Sequence, residues 1–208
     1  MNARRRILAA SLAAASLALF GPQAFAQTPK VLKISHQFPG GSIDEGDFRD
    51  RMVRKFAAEV EKRTNGQLKF EIYPGGSLVK PVEQWGAMAN GSLDMSLYPL
   101  AYAGGRVPEL NIGLMPALVT SYEQGLRWKD APIGKELTRI VEEKGVKIVT
   151  WVWQAGGIAS RGKPILQPDD VKGLKFRGGS KEMDMMLKAA GASPTNVPSS
   201  EIYNAMQS

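Results

Sequence analysis

The chain has 208 residues, of which 43% are hydrophobic and 23% are charged, and its formal net charge is +7. This length predicts one or two domains and is sufficient for a buried core. The chain contains no cysteine and a single histidine, His36, which excludes disulfides and thiolate metal sites and argues against a histidine metal cluster or a Ser-His-Asp triad. We therefore expect neither a metal site nor a cofactor.

The N-terminal residues 1–26 have the pattern of a cleaved signal peptide. Residues 4–6 are arginines, residues 7–20 form an apolar, alanine-rich run, and residues 24–26 give an Ala-Phe-Ala cleavage signal. A membrane anchor is the alternative, but the apolar run is short for a membrane span. We therefore predict a periplasmic protein that begins at residue 27, with a formal charge of +4. Its charges are mixed along the chain, so nucleic acid is not an expected partner.

Hydrophobic periodicity predicts alternating strands and helices in the first half of the chain. The predicted elements are a strand over 31–36, a helix over 47–64, a strand over 68–73, a helix over 82–89 and a strand over 93–98. Asn65-Gly66 and Asn90-Gly91 follow the two helices and accept the left-handed conformation that ends a helix. This order predicts an α/β domain with largely parallel strands.

An irregular segment and a broken helix are predicted next. Glycine and proline interrupt residues 99–119. Ser121 and Gln124 have the spacing of a capping box, which opens helical sequence that reaches Lys144. Pro132 is expected to break this helix into two pieces.

Strand patterns return after this helix. Residues 146–153 are mostly apolar and predict a buried strand, and residues 158–160 are a candidate for a short return strand. Residues 168–171 predict one helical turn, and residues 201–207 predict the start of a further helix.

The strongest candidate for a binding site follows that helical turn. A predicted strand over 174–177 ends on Arg177, and Gly178, Gly179 and a helix over 181–190 come after it. Open α/β sheets bind ligands at the carboxyl ends of their strands, and a guanidinium group pairs with a carboxylate through two parallel hydrogen bonds. The glycines allow a ligand to approach closely, and the helix N-terminus favours an anion. Arg177 is therefore a candidate for binding a carboxylate, with a solvated surface ion pair as the alternative.

Short segments throughout the chain after residue 26 carry the pattern of a known family. They are residues 56–66, 73–78, 90–95, 163–165, 169–177, 191–194 and 200–207. The most specific of them include Asp-Asp-Val-Lys-Gly-Leu-Lys-Phe-Arg, which ends on Arg177. In this order, behind a signal peptide, they resemble the periplasmic solute-binding proteins of TRAP (tripartite ATP-independent periplasmic) transporters, the DctP-like family.

The resemblance implies a type II periplasmic-binding-protein-like α/β fold, with two lobes around a ligand cleft. We place the first lobe at residues 27–145 and the start of the second at residues 146–208. The second lobe is then incomplete, because the family continues further. In this family the lobes close over a small organic acid and deliver it to the TRAP membrane permease subunits. Arg177 falls on the family's signature arginine, which binds the ligand carboxylate.

The resemblance also implies ligand contacts from the first lobe. His36 and Gln37 end the first predicted strand and match the place where that lobe contacts the ligand. Gln154 directly follows the predicted strand over 146–153 and is a further candidate.

Two glycines mark a departure from the family pattern. Gly156 and Gly157 stand where some members carry a second arginine or a glutamine. Their lack of a polar side chain favours a monocarboxylate with a bulky or aromatic body, held against aromatic residues. The candidates for this wall are Trp151, Trp153, Tyr98 and Tyr102. Core packing is the alternative for each of them.

These features favour a binding protein over an enzyme. His36 has no obvious serine partner, and the paired acids Asp44 and Glu45 lie in a polar loop with nothing to mark them as catalytic. We therefore expect a small-molecule organic acid as ligand and no catalysis. The alternative is a protein that presents the carboxylate to a sensor receptor, which gene neighbours would distinguish from transport.

Overall fold

The structure, a computed structural model, describes residues 28–207, so the predicted signal peptide lies outside the described residues. Strands β1 to β5 span Lys30–His36, Leu68–Tyr73, Met95–Leu97, Lys175–Arg177 and Ser193–Thr195. Helices α1 to α6 span Phe48–Arg63, Gln84–Ala89, Tyr122–Arg127, Pro132–Glu143, Lys181–Ala189 and Ile202–Gln207. Short 3₁₀ helices span Pro74–Gly76, Pro81–Glu83, Leu100–Ala103, Pro108–Leu114, Pro168–Val171 and Ser199–Glu201. Within this part of the chain, no helix is long and apolar enough to cross a membrane.

The strands form two parallel sheets. In the first sheet β1 lies between β2 and β3, in the order β2-β1-β3, and in the second β4 pairs with β5. All three pairings are parallel, which confirms the predicted α/β class with parallel strands. Because parallel strands end at one edge of the sheet, the residues that follow β1 and β3 lie near each other.

Helix α1 shows how local signals set the element boundaries. Asp47 precedes the helix, and its side chain accepts a hydrogen bond from the backbone N–H of Arg49. After the helix, Asn65 and Gly66 adopt positive φ values of 50° and 74°, which is the left-handed ending that these residue types favour. The predicted helix over 47–64 therefore matches Phe48–Arg63 within one residue at each end.

Two apolar clusters form part of the core of residues 28–207. The larger contains Trp85, Ala103, Val107, Leu110, Trp128, Leu137 and Val141. The smaller contains Val171, Leu187 and Ala192, which pack α5 onto the second sheet. The predicted lobe boundary between residues 145 and 146 stays a prediction.

The predicted strand over 146–153 is wrong, as is the return strand over 158–160. Neither segment pairs with another strand among residues 28–207. Val146, Ile148, Trp151 and Trp153 do pack against the larger cluster, so the apolar pattern reports side-chain burial without sheet pairing. Strand β5, Ser193–Thr195, was not predicted, because a three-residue strand with a central proline has little strand pattern.

Candidate functional site

Arg177 ends β4, and protein groups hold one edge of its guanidinium. Its Nε donates to the carbonyl oxygen of Val197 at 3.0 Å, and its Nη2 donates to the hydroxyl of Tyr102 at 2.9 Å. Among the described residues no acceptor contacts Nη1. The Nη1 end of the fork therefore keeps donors for a ligand.

Tyr102 joins Arg177 to the end of strand β1. Its hydroxyl donates to Oε1 of Gln37 at 3.1 Å and accepts the backbone N–H of Ser199 at 3.1 Å. The same N–H also lies 3.1 Å from Oε1 of Gln37. Gln37 is buried, so the predicted site residues Arg177 and Gln37 belong to one hydrogen-bonded group.

The two glycines after Arg177 differ in what surrounds them. At Gly178 a Cβ would lie only 1.9 Å from Oδ1 of Asp184, so this glycine makes room for a protein side chain. At Gly179 a Cβ would lie 3.4 Å from Nη1 of Arg177. Gly179 therefore leaves space beside the end of the guanidinium that has no protein acceptor.

Asp184 places a carboxyl group beside Gly178, close enough to interact with the charge of Arg177. Its Oδ1 is buried and has no hydrogen-bond partner among the described residues. Burial raises the pKa of Asp184, and the charge of Arg177 opposes that rise.

The helix that follows the glycines begins where the sequence predicted. Ser180 caps α5, and its hydroxyl accepts the backbone N–H of Met183 at 3.2 Å. The helix therefore starts at Lys181, four residues after Arg177, so its positive N-terminal end closely follows the end of β4.

His36 is enclosed by protein and is not exposed to a cleft. Its ring is 0% exposed, and Nδ1 accepts the backbone N–H of Phe38 at 3.3 Å. Its Nε2 donates to Oδ1 of Asp50 at 3.1 Å, and Arg54 donates to the other oxygen of Asp50 at 2.7 Å. Both ring nitrogens thus have protein partners, and His36 shapes the loop that holds Gln37.

The predicted aromatic residues divide between the core and the site. Trp153 packs edge-on against Trp128, with ring centroids 5.1 Å apart, so it belongs to the larger core cluster. Tyr98 lies between Trp85 and Tyr102, at centroid distances of 6.1 Å and 6.2 Å. Burial raises the pKa of the Tyr98 hydroxyl, which has no partner among residues 28–207. Only Tyr102, of the four predicted wall residues, hydrogen-bonds to Arg177.

The side chain of Gln154 is hydrogen-bonded to Arg49 and not to Arg177. It is exposed, and its Oε1 accepts from Nη1 of Arg49 at 3.3 Å. The guanidinium of Arg49 also covers the ring of Phe38 at 3.9 Å. Gln154 therefore ties the segment after residue 146 to the loop after β1.

Sequence reasoning missed two backbone groups of the site, the Val197 carbonyl and the Ser199 N–H. Both follow β5, which is the parallel neighbour of β4. A prediction of β5 would have placed them beside Arg177, because the residues after parallel neighbours meet at one sheet edge. A surface hollow lined by Arg139 and Glu182 lies elsewhere and does not include Arg177.

Parallel strands that end on a partly unpaired guanidinium define a candidate carboxylate-binding site. Comparison with known proteins agrees with this class. Residues 42–208 match the family model "DctP: Bacterial extracellular solute-binding protein, family 7". The chain belongs to this family, as the sequence resemblance predicted.

Two curated relatives illustrate the range of similarity. A solute-binding protein of Albidiferax ferrireducens is 66% identical over 184 residues, covering 88% of this chain and 54% of the relative. The C4-dicarboxylate-binding periplasmic protein DctP of Rhodobacter capsulatus is 32% identical over 206 residues, covering 98% of this chain and 60% of the relative. The chain thus spans little more than half the length of these relatives.

Solved structures share the fold. A TRAP periplasmic solute-binding protein from Rhodoferax ferrireducens, with bound malonate, has a TM-score of 0.83 at 66% identity, covering 85% of this chain and 56% of that one. A second, from Sulfurospirillum deleyianum with bound succinate, has a TM-score of 0.73 at 28% identity, covering 85% and 56% of the two chains. The prediction of a type II periplasmic-binding-protein-like α/β fold is confirmed.

Proposed function

We propose that this protein is the periplasmic solute-binding component of a TRAP transporter, which captures an organic acid on Arg177 and delivers it to membrane permease subunits. The observation that carries the proposal is the guanidinium at the end of β4, whose Nη1 has no acceptor among residues 28–207. A carboxylate supplies the acceptors that this end of the fork lacks. The carboxylate-bound neighbours in the same family support the same ligand class.

The binding step needs no chemistry from the protein. Arg177 supplies the charge, and Gln37 and Tyr102 hold the hydrogen-bonded surroundings that link it to the first sheet. Among the other predicted site residues, we assign His36 and Tyr98 to the support of this site, Trp153 to the larger core cluster and Gln154 to the contact with Arg49. Ligand then favours a closed arrangement of the lobes by mass action, which the permease subunits recognise.

The ligand class is a small organic acid, and malonate is the first probe because the 66% identical neighbour holds it. The sequence favoured a bulky or aromatic monocarboxylate instead. Trp151 and Trp153 stack against each other and pack on Trp128, which leaves Tyr102 as the aromatic contact of Arg177. Phenylacetate is therefore the second probe. Stronger binding of phenylacetate than of malonate would support the prediction of an aromatic ligand.

The test is calorimetric titration of the intact protein with malonate and phenylacetate. Arg177→Lys keeps the charge but removes the planar fork, so we expect at least about a 30-fold loss of affinity for the acid that binds. The control is Arg63→Lys, because Arg63 forms an exposed pair with Glu59 on α1 and its replacement is expected to leave binding unchanged. Equal affinity in the wild type and Arg177→Lys contradicts the proposed site.

A further inference from the structure

The guanidinium of Arg177 is divided into an occupied edge and an unoccupied end. Arginine has five N–H donors in a fixed plane. The Val197 carbonyl oxygen accepts the hydrogen bond from Nε, and the Tyr102 hydroxyl oxygen accepts one from Nη2. The donors left over are both hydrogens of Nη1 and the second hydrogen of Nη2. The Nη2 hydrogen and the Nη1 hydrogen parallel to it form the end-on fork.

Tyr102 faces Arg177 with its lone pairs. A phenol has one proton, and the Arg177 and Ser199 groups that contact its oxygen are donors only. The proton must therefore point to Oε1 of Gln37, which accepts it at 3.1 Å. The oxygen that borders the occupied edge is consequently an acceptor, and it opposes a ligand carboxylate at that edge.

Tyr102 is itself held by its surroundings. It lies in the 3₁₀ helix Leu100–Ala103 and packs edge-on against Tyr98, with an interplanar angle of 85°. Gln37, which fixes the phenol proton, is 3% exposed. The phenol oxygen is thus a fixed acceptor, and a fixed acceptor restrains rotation of the guanidinium about its Nε–Cζ bond.

We propose that Tyr102 is a positioning residue, which orients Arg177 so that a ligand carboxylate binds end-on to Nη1 and Nη2. The proposal rests on the proposed function above and specifies how its site selects the approach of the acid. Gly179 fits this geometry, because a Cβ there would lie 3.4 Å from Nη1 and would narrow the approach. Tyr102 therefore acts on affinity through Arg177, while Gly179 keeps the route to Nη1 clear.

The experiment combines malonate titration with ¹⁵N NMR of the Arg177 side chain in the intact protein. Tyr102→Phe keeps the ring and removes only the oxygen, so we expect malonate affinity to fall about tenfold, as for a lost hydrogen bond to a charged group. The Nη1 and Nη2 signals are expected to be separate in the wild type and to merge in Tyr102→Phe as the guanidinium rotates more freely. Tyr73→Phe is the matched control, because that hydroxyl bonds the exposed Glu71.

Gly179→Ala is a second variant that does not depend on the folding of Tyr102→Phe. Its methyl group narrows the approach to Nη1, so we expect at least about tenfold weaker malonate binding while the Arg177 signals stay separate. Wild-type affinity in Tyr102→Phe or in Gly179→Ala overturns the inference. If Arg177→Lys still loses binding in that case, the proposed function stands without it, whereas unchanged binding in Arg177→Lys overturns both.

Discussion

At the scale of single residues, His36 shows how burial decides protonation. Nδ1 of His36 accepts a hydrogen bond from the Phe38 N–H. The one proton of the neutral ring therefore lies on Nε2, facing Asp50. Burial lowers the pKa of His36, and the nearby charge of Asp50 opposes part of that shift. A second proton would break the contact from Phe38, which directly follows the candidate site residue Gln37.

This arrangement predicts a pH dependence of stability. The unfolded chain takes up a proton at His36 near its ordinary pKa of about 6.5, while the folded chain resists it to lower pH. Below about pH 6.5 the unfolded state therefore binds more protons than the folded state. The contribution of His36 to the free energy of unfolding is fully present above about pH 6.5 and decreases as the pH drops towards the folded pKa, by at most about 1.4 kcal/mol per pH unit. Urea unfolding at pH 7.5 and 5.5 measures this slope.

The control for this prediction uses the fact that the chain has one histidine. His36→Gln offers an oxygen and an N–H in place of the ring nitrogens but does not titrate. Its free energy of unfolding is expected to change less between pH 7.5 and 5.5 than that of the wild type. An equal or steeper change in the variant contradicts the assignment of the slope to His36.

At the scale of elements, the start of α4 is packed too closely for a side chain at Gly134. A Cβ there would lie 1.8 Å from the carbonyl oxygen of Trp128 and 2.5 Å from its carbonyl carbon. Replacing glycine by alanine in an exposed helix normally stabilises it by about 1 kcal/mol. Here the clash is with backbone, so the expected sign is reversed.

Gly134→Ala is therefore expected to lower the free energy of unfolding by about 2 kcal/mol, within the range for overpacked sites. Gly113→Ala is the matched control, because a Cβ at Gly113 meets nothing within 4 Å. Urea denaturation of both variants measures the difference. Stabilisation by Gly134→Ala equal to that by Gly113→Ala would show that the helix does not approach Trp128 this closely.

Elements with local signals were predictable from the sequence. The first strand, predicted over 31–36, is Lys30–His36, and the helix predicted over 181–190 is Lys181–Ala189. The prediction of a strand over 146–153 is wrong because an apolar run indicates burial but does not reveal whether a partner strand exists. Strand β5 has only three residues, and one of them is a proline, so its sequence carries little strand pattern. It is recognised in the structure by its pairing with β4.

The site was predictable only where it is local. Arg177 was identified from its own segment, since a strand, glycines and a helix follow one another there. The hydroxyl of Tyr102 reaches Arg177 across 75 positions of sequence, and periodicity holds no information about such a contact. His36 was expected at the ligand because it ends β1. Its ring is hydrogen-bonded to Asp50 on α1, and its role at the ligand stays a prediction.

At the scale of the whole molecule, residues 146–153 have some side chains packed on the core and others exposed to solvent. Val146, Ile148, Trp151 and Trp153 pack on the larger core cluster, whereas Val149 and Val152 are 63% and 39% exposed. Burial alternates before and after Thr150, but Ile148 and Trp151 are three residues apart, so the packed side chains do not share one face of a regular strand. Among residues 28–207 the segment has no pairing strand, so its side chains are packed while its backbone is unpaired.

Hydrogen exchange measures this separation directly. Ile34 of β1 is paired on both sides, with Ile72 and with Met95, so its exchange requires extensive unfolding. The amides of residues 147–153 have no such pairing, and side-chain packing alone does not protect an amide that water reaches. We expect them to exchange at least about 100-fold faster than those of β1, a difference of about 2.7 kcal/mol in opening free energy.

Helix α4 provides the internal reference, because it contributes Leu137 and Val141 to the same core cluster and its amides are bonded within the helix. If residues 147–153 exchange fast while α4 is protected, the cluster holds the segment by its side chains only. If they are as slow as β1, the segment is a paired strand in solution, as its apolar pattern predicted. The backbone that carries Trp151 and Trp153 would then be held by a sheet as well as by the contacts of their rings with Trp128, whereas their place in an aromatic wall stays a prediction.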